Sequence, residues 1–377
     1  MKTKIKKALK MITLTIVSII ALIVIGGIIF LNISPQFGGK HSENDIKRYQ
    51  ESGHYQGGKF INLIETNMDM SLKNIWAMSK EFIKGNPNAK PNFKFPINEM
   101  DSSYLVKSQA EDKMYWFGHS TFLLQLDSLN ILIDPMFGDS PAPHPTFGTS
   151  RFHDKLPIEI EKLPHIDLVL ISHDHYDHLD YESIQKLKGK VKQFYVPLGV
   201  GAHLKSWGIN ENYIAEYNWW DETNYENLQL AFTPARHFSG RGLMDNSATM
   251  WGSWVIKSNS KNIFFSGDSG YGPHFKEIGE KYGPFDFAMM ECGQYNEKWA
   301  NIHMMPEETA QAGIDVKTNI IMPIHWGAFK LALHDWDDPI KRITTKADEL
   351  KIPTFIPEIG QKIDLSNLNM QPTNWWK

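Results

Sequence analysis

Residues 167–180, DLVLISHDHYDHLD, constrain the chain most. The run 167–171 is apolar and rich in branched residues, with Pro164 before it and a polar cluster after it. That pattern reads as a buried strand delivering a loop. The loop carries His173, His175, Asp177 and His178. In extended or irregular backbone, residues i and i+2 share a side, so His173 and His175 can close on one ion. Asp177 and His178 can then turn toward a second. Imidazole and carboxylate suit zinc, manganese or iron. Solvated histidines scattered on a polar loop are the bland alternative. Three His and two Asp within six residues, directly after a buried strand, argue against it.

The same strand-then-loop arrangement recurs downstream. His237 follows NLQLAFTPAR, Asp268 follows NIFFSG, and His325 follows NIIMPI. Each alone reads as a structural residue at a strand end. Together with the 173–178 loop they supply seven ligands, enough for two four-coordinate ions sharing one carboxylate and one water. Upstream, MYWFGHSTFLLQL and LNILIDP read as two strands separated by a turn at 127–129. Asp134, ending the second, is a candidate to hold the far N–H of a ligand histidine. His119 either lines the site or satisfies backbone groups. His303 precedes Pro306, Glu307 and Glu308, which read as a helix start favourable to an anion. It either points into the site or is bonded structurally beneath the loop. Cys292 is the single cysteine, which excludes an internal disulfide and a thiolate-rich metal site.

The N-terminal region has its own logic. Residues 1–10, MKTKIKKALK, are basic, and the twenty-one residues 11–31 carry no charge. As a helix that run spans roughly 30 Å, the thickness of a bilayer core. A cleavable signal peptide begins similarly, but its apolar region is about 7–15 residues long and ends at a small-residue site. LNISPQF offers no such site. The expectation is a single-pass anchor in the cell membrane, with a cytoplasmic tail and the remainder outside. Residues 32–60 look like an extended linker. In 66–85, Met68, Leu72, Ile75, Trp76, Phe82 and Ile83 follow helical spacing. That helix is expected to dock on the core, with a membrane-facing role as the alternative. Linker and helix together make up 32–95, and 96–377 is the catalytic domain. Outside the tail, 34 basic residues stand against 43 acidic ones, which does not make a nucleic-acid surface.

SHDHYDHLD, His237, Asp268 and IHWG at His325 resemble the metallo-β-lactamase superfamily. DPMFGDSPAP, VPLG, NWWDE, TPARHFSGRGLMD, WGSW, GDSGY, GPFD and PIHWG are similar to its N-acyl-phosphatidylethanolamine-hydrolysing phospholipase D group, across residues 113–362. The resemblance implies an α/β (α+β) fold: a four-layer αβ/βα sandwich, here preceded by a transmembrane helix. It implies that His173, His175 and His237 hold one metal, that Asp177, His178 and His325 hold the other, and that Asp268 bridges both. Asp134 would support these ligands, and His303 would stand near the substrate phosphate; His119 joins Asp134 as a candidate support from its place in the chain alone. Asp177, Asp268 and His303 are thus the catalytic candidates. Two divalent ions are expected, zinc first, with manganese or iron on the same donors. Residues before 100 do not align with the group's lipid-cavity segment, so lipid specificity does not carry over.

Two divalent ions against two carboxylates leave a positive site that activates water and favours an anionic substrate. The expected activity is a membrane-anchored phosphodiesterase. It would hydrolyse N-acyl-phosphatidylethanolamine-like lipids to phosphatidic acid and N-acylethanolamine. Hydrolysis of a lactone, amide or β-lactam on the same metals is the alternative, the ascorbate-phosphate lactonase-like enzymes being the nearest such relatives. A non-catalytic lipid-binding protein is a third reading. The acidic balance opposes a nuclease, and no ligand cysteine stands where a β-lactamase would have one. Phospholipid and membrane are the expected partners. Homodimerisation stays open, and no nucleic-acid partner is expected.

Overall fold

The computed structural model describes residues 2–68, 71–368 and 374–377; residues 69–70, inside the helical run read at 66–85, fall outside it. Helix α1 (Lys2–Ile33) joins the basic residues and the uncharged run into one continuous helix. Its apolar side chains are exposed, and it is long and apolar enough to cross a membrane.

Residues 32–60 depart from the expected linker. Ser42 and Asp45 form a reciprocal capping box that starts helix α2 (Glu43–Glu51). A short hairpin follows, β1 (Tyr55–Gln56) and β2 (Lys59–Phe60). The rings of Tyr49, Tyr55 and Phe60 meet at centroid distances of 5.7, 5.3 and 4.9 Å, and Tyr49 and Phe60 are buried. Gly39 N–H donates to His203 Nδ1 at 3.0 Å, and Trp207 Nε1–H to the Pro35 carbonyl at 2.7 Å. Three aromatic anchors were hidden in a segment whose average composition is polar.

The expected docking of the next helix does not hold either. Helix α3 (Leu72–Lys84) buries no residue, and Leu72, Trp76 and Ile83 are 86%, 63% and 84% exposed. Ser71 caps its start, and a Glu81–Lys298 ion pair at 2.6 Å ties it to the domain. Helical periodicity says which face is apolar, not what covers it.

After helix α4 (Ser102–Lys107) come strands β3 (Lys113–Trp116) and β4 (Phe122–Leu126). The sequence pattern over 114–126 predicts a single strand. They pair antiparallel, Trp116 opposite Phe122, because Gly118 and His119 turn the chain at φ of 87° and 54°. Strands β5 (Leu129–Ile133) and β6 (Ile166–Leu170), helix α5 (Tyr181–Leu187), strand β7 (Val191–Pro197), helix α6 (Val200–Ser206) and strand β8 (Ile214–Tyr217) follow. The second sheet begins with β9 (Glu222–Tyr225), β10 (Leu228–Thr233), β11 (Ser253–Lys257) and β12 (Asn262–Phe265). Helix α7 (His274–Lys281), strand β13 (Phe287–Glu291), helix α8 (Pro306–Asp315) and strand β14 (Ile321–Ile324) complete it. Helix α9 (Asp338–Leu350) then leads to β15 (Ile363–Asp364), which returns beside β3.

The sheet orders are β15-β3-β4-β5-β6-β7-β8 and β14-β13-β12-β11-β10-β9. Alternate residues sort the layers. Met114, Trp116, Leu124 and Ile133 join the core shared with the second sheet, whereas Tyr115, Leu123 and Leu132 pack toward α5 and α6. Helices α7, α8 and α9 cover the far face of the second sheet through Phe275, Ile278, Ala310 and Ile343. This is the four-layer αβ/βα sandwich. Strands β10, β12, β13 and β14 run in one direction, so their C-terminal ends emerge at one edge.

Candidate metal centre

Loops leaving β6, β10, β12 and β14 bring all seven expected ligands together at that edge. The nitrogens His173 Nε2 and His175 Nδ1 are 2.9 Å apart, and His237 Nε2 is 3.2 Å from the latter. Asp268 Oδ2 lies 3.8 Å from both His173 Nε2 and His237 Nε2. A second set surrounds the same oxygen. His178 Nε2 and His325 Nε2 are each 3.2 Å from Asp268 Oδ2, and Asp177 Oδ2 is 3.5 Å and 3.2 Å from those two nitrogens. Donors about 2.0–2.2 Å from a tetrahedral ion stand roughly 3.3 Å from one another, so both sets fit one. His178 Nε2 and Asp268 Oδ1 are buried without hydrogen-bond partners, as converging ligands would be before a cation joins them.

The outward nitrogens of four of these histidines are also held, which fixes their rings. Asp134 Oδ2 takes His178 Nδ1–H at 2.7 Å, and its other oxygen takes the Ser172 N–H. Ser172 Oγ lies 2.9 Å from His173 Nδ1, and His237 Nδ1–H donates to the Ile302 carbonyl at 2.9 Å. His325 Nδ1 faces Glu291 Oε1 at 3.4 Å. His119 also belongs here: its Nε2 is 2.8 Å from Asp177 Oδ2, and burial holds its pKa down at about 3, so it donates as a neutral ring. The loops of His119 and His325 exchange backbone bonds, His119 N–H to Trp326 O and His325 N–H to His119 O.

Sequence reading missed Glu291. It closes the apolar strand β13 as Asp134 closes β5, so the same signal was present. Its neighbour Cys292 is buried, and that burial pushes its thiol up.

Burial opposes charge throughout the centre: it holds His173, His175 and His237 below the ordinary imidazole value and Asp134 above the carboxylate one, whereas pairing outweighs it at His178, His325, Asp177 and Asp268. The carboxylates of Asp268, Asp177 and Asp134 hold His178 well above its ordinary value despite desolvation, and Asp268 and Asp177 bring His325 to about 9. The imidazoles in turn hold Asp177 and Asp268 well below the usual carboxylate range. Without metal, protons on His178 and His325 balance the two carboxylates, and an entering cation must displace them.

A cavity of about 240 Å³ opens over the donors. Asp177, Asp268 and His325 line its interior, with Met68, Phe238, Trp299 and Leu331 among its apolar walls. His303 lines it too, with one ring nitrogen within 4.8 Å of donor atoms of His237 and Asp268.

Residues 129–326 match the beta-lactamase superfamily domain. The chain belongs to the metallo-β-lactamase superfamily. An uncharacterized Mycobacterium tuberculosis protein is 37% identical over 339 residues, covering 87% of this chain and 88% of its own length. The Caenorhabditis elegans protein named N-acyl-phosphatidylethanolamine-hydrolyzing phospholipase D 1 is 30% identical over 257 residues, covering 64% of this chain and 72% of its own length. Among solved structures, an isothiocyanate hydrolase from Delia radicum gut bacteria shares the fold at 20% identity and TM-score 0.54, covering 67% of this chain and 98% of that one. This superfamily member is a metal-dependent hydrolase with His/Asp clusters able to bind metal.

Proposed function

We propose that the protein is a membrane-anchored phosphodiesterase of phospholipase D type acting on N-acyl-phosphatidylethanolamine-like lipids. The observation that carries this reading is the pairing of two donor sets sharing Asp268 with His303, a cavity histidine that neither set uses. The named nematode relative supports the choice of lipid. Two divalent cations, zinc first, would supply Lewis acidity that lets water act as a nucleophile near neutral pH. His173, His175 and His237 would hold one; Asp177, His178 and His325 the other; Asp268 both. Net reaction adds water across the phosphodiester: its oxygen bonds to phosphorus and the P–O bond to the N-acylethanolamine breaks. The departing oxygen needs a proton, and His303 is placed to give it. The apolar walls suit the acyl portions of a lipid.

The remaining apolar surface fits the same substrate. The exposed stripe of α3 lies against the bilayer that holds α1, with Lys80 over the Trp76 ring at 5.2 Å and the Glu81–Lys298 pair keeping the helix beside cavity residue Trp299. Purified full-length protein should therefore release phosphatidic acid from N-acyl-phosphatidylethanolamine in vesicles. Trp76→Glu should raise KM for vesicle lipid several-fold and leave a water-soluble diester unaffected. Ready opening of lactones with no phosphatidic acid from any such lipid would end the phosphodiesterase reading. An unchanged vesicle KM would remove α3 from the membrane.

Orientation follows from the flanking charges. Five lysines precede the apolar run of α1, and this charge bias supports a cytoplasmic N-terminus with the catalytic domain outside. Protease added to intact cells or spheroplasts should digest the domain. Protection until lysis would reverse the topology.

A further inference from the structure

Strand β13 is buried along its whole length, and its last residue, Glu291, is as inaccessible as the apolar residues before it. A carboxylate so placed is stable only if its oxygens are hydrogen-bonded. Oε2 accepts the Met304 N–H at 3.0 Å. Oε1 stands 3.2 Å from His303 Nδ1 and 3.4 Å from His325 Nδ1. The backbone around it is committed elsewhere: its N–H donates to Ser266 Oγ at 2.9 Å, and its carbonyl accepts the Thr309 hydroxyl at 2.8 Å. The strand end is therefore fixed, and the carboxylate has little freedom to turn away.

An ionised carboxylate oxygen only accepts, so both facing Nδ1 atoms must carry protons. In its neutral, metal-ready form each ring then presents Nε2 with its lone pair free, and His303 can deliver a proton from Nε2 only after taking one up there. For His325 that nitrogen is the one 3.2 Å from Asp177 Oδ2 and from Asp268 Oδ2. His303 itself lines the cavity. The two rings lie 5.1 Å apart, centroid to centroid, and share that one acceptor oxygen. We propose that Glu291 is a positioning residue that sets the tautomer of two histidines at once, the metal ligand His325 and the cavity histidine His303. A single carboxylate thereby links the geometry of the second metal set to the group that protonates the leaving oxygen. The His325 half stands on the donor geometry alone, and the leaving-group half rests on the phosphodiesterase reading.

The test needs no substrate. Full-length zinc-loaded protein in detergent, labelled with ¹⁵N-histidine, should show slowly exchanging protons on Nδ1 of both His303 and His325. In Glu291→Gln the amide offers one acceptor and one donor, so either Met304 or at least one ring loses its partner. In Glu291→Ala both rings do. Cobalt titration should then show second-set affinity falling about 10–100-fold in Glu291→Ala, and less in Glu291→Gln, with the His173–His175–His237 set unchanged. A loss confined to activity, with tautomers and second-set affinity at wild-type values in both variants, would overturn the proposal. So would a wild type with its protons on Nε2, or one that binds no second ion. If neither variant folds, the wild-type spectrum alone decides. Failure on vesicle lipid leaves these readouts untouched, so the two readings fall separately.

Discussion

Asp268→Asn is expected to empty both halves of the centre together. Asp268 Oδ2 lies within 3.8 Å of four histidine nitrogens, two from each set, and is the only oxygen placed between them among the described residues. The amide is neutral, and its nitrogen would present protons where a lone pair is required. It also leaves protonated His178 and His325 short of the carboxylate that balances them in this buried site. Elemental analysis should fall from about two ions per chain to below one, with hydrolysis reduced by about 10³-fold or more, the several kcal/mol that metal ions contribute to such transition states. His237→Ala should separate the sets, lowering chiefly the ion shared with His173 and His175. Two ions retained in Asp268→Asn would refute the bridging role.

His303→Gln is expected to behave oppositely. The ring belongs to neither four-donor set, yet it lines the cavity and its Nδ1 is anchored on Glu291 at 3.2 Å. Glutamine keeps a polar side chain of similar reach but cannot deliver a proton at neutral pH. Turnover of N-acyl-phosphatidylethanolamine should fall about 10²–10⁴-fold, the usual contribution of general acid–base catalysis, with metal content unchanged. Loss of metal would make His303 a ligand, consistent with its closeness to His237 and Asp268. Full activity would make it structural.

Whether a residue was legible in the sequence depends on how far away its partners lie. His173, His175, Asp177 and His178 sit within one loop, and His237, Asp268 and His325 each follow an apolar β run closely. Strand-then-loop delivery is local, so pattern alone exposes it. Asp134 was found the same way. The long uncharged run of α1 is also a one-dimensional property, visible without any fold.

What the sequence withheld is set by contacts between distant segments. Glu291 matters because the fold places it against His303 and His325, 12 and 34 positions away. A glutamate ending a strand carries no mark of what it will face. The His119 loop supports Asp177 only because its chain reverses between β3 and β4 and pairs with the loop after β14. Residues 32–60 read as linker because composition averages over a window, whereas anchoring needs only Tyr49, Tyr55 and Phe60 in register. Periodicity likewise gave α3 its apolar face but not the surface it meets. The sequence by itself therefore determined the His/Asp clusters able to bind metal, the apolar span and the strands that carry them. Only tertiary structure decided which groups hold those side chains and which surfaces stay uncovered, because hydrogen-bond partners and burial are set by segments far apart in the chain.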